Sequence, residues 1–209
     1  MRRIAVLLSL CALLLPMAAW ASGINITNQG GSVTFSDSGI ASYGSELKSW
    51  NNIVAGKGHS LGTVSFATGA WTSGSIWTGG TLSATGSSFD VMGVGQWAKT
   101  LTGQNGNPIT LFAGSFVGPI DWTVDSHKGD QYIFTLSGSL SGTLYTGRTV
   151  TGTTSQTIYA YTDQEPYDHK GSLHVGGGHF NTPEPGTLGL LGVGLTFIAG
   201  TVRRKVFGA

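Results

Sequence analysis

Apolar and polar positions alternate with a period of two along most of the chain between residues 22 and 182. At Phe112, Gly114, Phe116, Gly118, Ile120, Trp122 and Val124 the even positions are apolar or glycine, while Ser115, Asp121, Thr123 and Asp125 mark the other face. Phe134, Leu136, Gly138, Leu140, Gly142 and Leu144 repeat the scheme against Thr135, Ser137, Ser139, Ser141 and Thr143. Such alternation predicts strands that bury one sheet face and wet the other. Pro119 splits the first run into two strands or places it on an edge. Gly138 and Gly142 fall on the apolar face, where they leave room for large side chains opposite or mark bulges. Further strands are predicted at Ser32–Ser36, Thr63–Thr68, Thr81–Thr85, Phe89–Val94 and Ser155–Thr162, separated by turns such as Gly30-Gly31, Gly79-Gly80 and Lys128-Gly129-Asp130. No stretch repeats apolar residues at helical spacing over three turns, although Ser45–Val54 has room for one helical turn. Many short strands at roughly ten-residue spacing predict an all-β domain, an antiparallel β-sandwich or open barrel. A β-solenoid would require a fixed period, and none is present.

The two ends depart from this pattern. Met1-Arg2-Arg3 precedes an uncharged run from Ile4 to Ala19, and Ala19-Trp20-Ala21 places small residues where a signal peptidase reads them. Residues 1–21 are therefore predicted to be a secretory signal peptide, cleaved after Ala21. Its removal takes Cys11, the single cysteine of the chain, so the exported protein forms no disulfide. At the other end Pro183-Glu184-Pro185 leads into the uncharged run 186–202 and then Arg203-Arg204-Lys205. A helix over 186–202 spans about 26 Å, just sufficient for a bilayer core of about 30 Å with local thinning. The basic triplet marks its cytoplasmic end. An exported amino terminus and a cytoplasmic carboxyl terminus put residues 22–182 on the far side of the membrane.

Pro183-Glu184-Pro185-Gly186-Thr187-Leu188-Gly189-Leu190-Leu191-Gly192, the glycine-rich span and the basic tail together closely resemble the PEP-CTERM sorting domain of Gram-negative bacteria. The resemblance covers residues 183–209. It implies that the tripeptide is read by exosortase, a membrane-embedded cysteine protease of transpeptidase type. It implies also that the protein belongs to the exported cell-surface or extracellular-matrix substrates of that enzyme.

Charge adds an exclusion. The chain has 11 Lys+Arg and 10 Asp+Glu, but only six of the cations lie between Ser22 and Thr182, against nine acids. A mildly acidic, charge-poor body is a poor partner for nucleic acid, because neutralising phosphates needs clustered Lys and Arg.

Candidates for chemistry in residues 22–182 are few. His169, His174 and His179 recur every five residues beside Asp168, but that spacing alternates faces on a strand, and a metal site is not expected. Asp121, Asp125 and Asp130 offer oxygen ligands to calcium without the twelve-residue EF-hand pattern. Glu46 and Glu165 are the only glutamates of the body, and no nucleophile elbow or zinc-protease helix is present. Trp71 and Trp77 are odd-numbered in a polar setting, a pattern that exposes an aromatic pair to sugar rings if one strand runs through both.

The sequence is thus expected to encode an exported, exosortase-sorted structural or adhesive protein without catalytic activity or cofactor. The alternatives are a glycan-binding module working through Trp71 and Trp77, and a calcium- or metal-dependent secreted enzyme. Its expected partners are signal peptidase, exosortase, the membrane through the C-terminal helix, and exopolysaccharide.

Overall fold

Period-two alternation becomes strand almost throughout residues 24–128, 131–161 and 171–182, the residues that the computed structural model describes. The elements are β1 (Asn25–Gln29), β2 (Ser32–Ser36), β3 (Gly39–Trp50), β4 (Ile53–Val54), β5 (Gly62–Ala67), β6 (Trp71–Ser75), β7 (Gly79–Leu82), β8 (Ser88–Gly93), α1 (Gln96–Thr102), β9 (Ile109–Lys128), β10 (Gln131–Leu144), β11 (Thr149–Tyr161) and β12 (Gly171–Asn181).

Several of these are halves of longer strands. β1 and β2 follow one register along β12, with Asn28 opposite Gly178 and Ser32 opposite His174. Only Gly30-Gly31 separates them, at φ 69° and 93°, a left-handed backbone that glycine adopts without strain. In the same way β5 continues into β6 and β7 into β8. The amide of Gly69 donates to Ser83 O at 2.8 Å and that of Ser83 to Ala70 O at 2.8 Å, carrying the ladder across both breaks. Eight long antiparallel strands result, each beside its neighbour in sequence. β9 pairs with both β8 and β10, and β12 pairs with β11 on one side and β1 and β2 on the other, so the meander closes into an eight-stranded barrel.

The domain is all-β, as expected, but neither a sandwich nor an open barrel. Closure joins residues 25–35 to 171–181, and β12 does not announce itself in sequence. Its Gly176-Gly177-Gly178 hides the alternation, and its register on β11 shifts between Thr157 and Ile158. That shift lets Leu173, Val175 and Phe180 all point inward. Ser45–Val54 holds no helical turn: β3 runs to Trp50 and pairs back with β4. Pro119 does not divide β9, because a register irregularity in its pairing with β10 absorbs Gly118 and Pro119. The short α1, not foreseen, lays Ala98 against Gly93 on the face of β8 that also carries Phe89 and Val91, with Trp97 and Leu101 packed against the core.

Inward residues fill the barrel. Phe66, Phe89, Phe112, Trp122, Phe134 and Phe180 are each less than 2% exposed. Phe89 meets Phe112, Phe116 and Phe180 with ring centroids 5.9–6.3 Å apart, and Trp122 stacks on Phe134 at 4.9 Å. The glycines of the apolar faces make room for these rings. A Cβ on Gly138 would lie 2.9 Å from the Phe116 ring, and one on Gly142 would lie 2.6 Å from Phe112 Cζ. Outward positions are mostly hydroxyl-bearing, Thr34, Thr63, Thr110, Thr143, Thr151 and Thr153 among them.

The predicted signal peptide 1–21 with Ala19 and Ala21, the tripeptide Pro183-Glu184-Pro185, the predicted span 186–202 and Arg203-Arg204-Lys205 lie outside the described residues. Among the described residues no helix is long and apolar enough to cross a membrane.

Candidate functional site

An eight-stranded barrel is just wide enough either to be filled by its own side chains or to hold one small ligand. The aromatic filling decides for the first. One cluster of polar side chains inside the wall is satisfied, whereas the buried Ser42 Oγ beside it in β3 has no hydrogen-bond partner. Asn28 Nδ2 donates to Ser45 Oγ at 2.7 Å and to Gln156 Oε1 at 2.9 Å, Gln156 Nε2 donates to Thr154 Oγ1 at 2.9 Å, and Thr154 Oγ1 donates to His179 O at 2.9 Å. Gly178 stands opposite both Asn28 and Gln156, so the amides meet across β12 over a position that has no side chain. This network fastens the closing strand to both neighbours and is structural.

The tryptophan pair does not lie on one strand. Trp71 opens β6 and meets Trp122 edge-on at 6.4 Å. Trp77 sits in the β6–β7 turn and packs against Phe35, Tyr132 and Phe134 at 6.4, 5.3 and 5.8 Å. Both are partly buried, and together they continue the core aromatics to one end of the barrel. Asp121 and Asp125 are exposed on β9, and the Asp125 carboxylate accepts hydroxyl hydrogen bonds from Thr123 at 3.0 Å and Thr135 at 2.5 Å. His174 and His179 both face outward, because the shift in β12 cancels the alternation expected for a spacing of five. Glu46 pairs with Lys48. Asp130, Glu165, Asp168 and His169 lie outside the described residues. Among the described residues no three His, Cys, Asp or Glu side chains stand close enough to hold a metal.

Two outer features were missed from sequence. The first is a shallow hollow of about 480 Å³ on the β2–β3–β5 face. Ala41 and Ala67 form its floor, hydroxyls of Thr34, Ser36 and Ser38 line it, and Tyr43, 60% exposed, stands at its side. Only the turn signal of Gly44 beside an isolated tyrosine marked this position. The second is an asymmetry of the two rims. Strand direction puts both termini on one rim, where Ile24 N donates to Thr182 Oγ1 at 2.5 Å and Thr182 N to Ile24 O at 2.9 Å. The connections on that rim, residues 51–61, 94–108 and 145–148, carry Lys57, Lys99 and Arg148 and no acid. Ile53 and Val54 there are 38% and 72% exposed. Asp37 turns at the opposite rim.

Asp90, half-buried on β8, has its carboxyl pKa raised above the ordinary 3.8 by desolvation. A carboxyl that binds its proton more tightly folded than unfolded adds stability below the unfolded value, and that contribution is lost as pH rises through the folded one. Asp90→Asn is therefore expected to raise the unfolding midpoint at neutral pH relative to the parent, with the advantage vanishing below about pH 3.8. Parallel urea melts across that range check it, and an advantage that persists unchanged in acid would refute the assignment.

Residues 181–205 match the family model of the PEP-CTERM protein-sorting motif. No curated protein and no solved structure matches the chain. The motif supports the coarse reading of an exported protein sorted by exosortase.

Proposed function

We propose that this is a non-enzymatic barrel delivered by exosortase to the cell surface or extracellular matrix, where its outer wall contacts hydrated exopolysaccharide. The observation that carries this reading is the contrast between a filled interior and a hydroxyl-rich, charge-poor exterior. A solid barrel offers no chamber for a substrate, whereas rows of threonine and serine hydroxyls exchange readily with the hydroxyls of neutral glycans. Signal peptidase removes residues 1–21, the helix 186–202 holds the chain in the membrane with Arg203, Arg204 and Lys205 in the cytoplasm, and exosortase acts at Pro183-Glu184-Pro185.

The hollow beside Tyr43 favours a second reading, a specific glycan module. An exposed aromatic ring beside hydroxyls suits the apolar face and the hydroxyl edge of a sugar. Trp71 and Trp77 are less apt for this, since their rings are packed among other aromatics.

Two measurements on the exported protein test the proposal. The intact mass of the surface form is expected to end near Thr182 to Pro185, and a mass matching Ser22 to Ala209 would refute processing. On a glycan array the same protein is expected to show broad, weak retention. Tight retention of one glycan, abolished by Tyr43→Ala, would replace the bulk reading with the module.

A further inference from the structure

The rim that bears Ile24 and Thr182 combines three features. Its connections carry Lys57, Lys99 and Arg148 with no acid among them, and none of the three has an acidic partner among the described residues. On the strands that run into this rim, Glu46 of β3 is paired with Lys48, and Asp90 of β8 is half-buried. Beside the cations β4 exposes Ile53 and Val54, two of the four large apolar side chains that reach solvent among the described residues. Finally, the chain leaves this rim at Thr182, directly before Pro183-Glu184-Pro185 and the uncharged run 186–202.

Covalent reach turns these facts into a location. Three extended residues span at most about 11 Å. With residues 186–202 in a bilayer, as proposed above and on which this inference rests, the rim is held close to the lipid surface. The Debye length at physiological ionic strength is about 8 Å, so cations on a rim brought against an anionic surface feel its field.

We propose that, before exosortase cuts the chain, the basic rim docks on the anionic bilayer surface, with Lys57, Lys99 and Arg148 on lipid headgroups and Ile53-Val54 at the interface. Docking holds the barrel axis upright and presents the opposite rim, with the β6–β7 turn, outward.

The test uses the exported chain, residues 22–209, which has no cysteine of its own, reconstituted into vesicles. A polarity-sensitive fluorophore is attached at Val54→Cys or, as the opposite-rim control, at Thr78→Cys. Vesicles contain phosphatidylglycerol with phosphatidylethanolamine, or phosphatidylcholine alone. The probe at residue 54 is expected to shift to the blue in the anionic vesicles only and to revert in high salt, while the probe at 78 stays aqueous. Each cation near an anionic surface shifts the equilibrium about fivefold. The combined Lys57→Gln, Lys99→Gln and Arg148→Gln variant should therefore cut the docked-to-undocked ratio by about a hundredfold. Co-flotation with an aqueous signal at 54 in both lipids would overturn the docking and leave the anchor standing. A blue shift unaffected by lipid charge or by the triple variant would overturn its electrostatic basis. Failure to co-float with either vesicle would overturn the anchor itself and docking with it.

Discussion

Replacing Trp122 with alanine is expected to lower the unfolding free energy by about 3–5 kcal/mol, the range for truncating a large aromatic in a packed core. The side chain is 1% exposed, stacks on Phe134 at 4.9 Å, meets Trp71 edge-on at 6.4 Å, and donates its Nε1 hydrogen to Ile76 O at 2.8 Å. Truncation leaves a void among rings that interlock with strands on several sides of the barrel. It also strands the Ile76 carbonyl, which holds the β6–β7 turn over the end of the core. For a domain of this size the loss corresponds to a fall in Tm of roughly 10–15 °C. Trp122→Phe keeps the stack and loses mainly the hydrogen bond, so it should cost about 1–2 kcal/mol. Urea and thermal melts of the three proteins decide the matter. A loss below about 1 kcal/mol for alanine would mean that the core repacks freely and that the ring contacts do not hold the barrel.

Gly142→Ala, a change of one methyl group, is expected to be as damaging. Gly142 on β10 stands directly opposite Gly114 on β9, and the Phe112 ring lies over both. A Cβ at 142 would fall 2.5 Å from Ala113 O, 2.5 Å from Gly114 Cα and 2.6 Å from Phe112 Cζ. Two of those three atoms are backbone on the neighbouring strand and cannot rotate away. Overpacking usually costs about 1–3 kcal/mol. Here the strand itself must move, so a loss of about 3 kcal/mol or more is expected. Gly106→Ala is the matched control. Its nearest atom would be Pro108 O at 3.4 Å, in an exposed connection, and its effect on the melt should be close to zero. Similar melts for the two variants would show that the paired glycines are not what admits Phe112.

Both expectations come from positions that the alternation marked. Trp122, Gly138 and Gly142 were placed on an apolar face by parity alone, and the paired strands β9 and β10 obey it, with the glycines accommodating rings as anticipated. Parity is a local property, so it survives where the chain stays extended or a bulge adds two residues, as at Gly118-Pro119, and fails where a bulge adds one. Tyr43 and Gly44 sit in such a bulge on β3, and the face of Tyr43 could not be read. His174 and His179 were assigned to opposite faces for the same reason. Closure is a different loss. Whether a meander ends as an open sheet or a ring depends on one contact between its first and last strands, and no periodicity records it. Gly178 shows why: what joins β11 to β1 is a side chain that is absent, allowing Gln156 and Asn28 to touch. The Trp71 and Trp77 reading took polar sequence neighbours as evidence of exposure. Both rings turn toward Trp122 and Phe134, which lie about 50 residues away in the chain. The sorting tripeptide was legible because it works as a linear string and needs no fold.

The pairing of Ile24 with Thr182 on one rim fixes how the domain would bear mechanical force. A tether attached at Thr182 pulls β12 along its own axis whenever the counterforce acts at the opposite rim, as flow drag or an adhering polymer would. The ladder bonds of β12 to β11, β1 and β2 run across that axis. Tension therefore shears many of them at once instead of peeling them singly, and a seam in which the terminal strand is flanked on both sides resists detachment far better than a free sheet edge would.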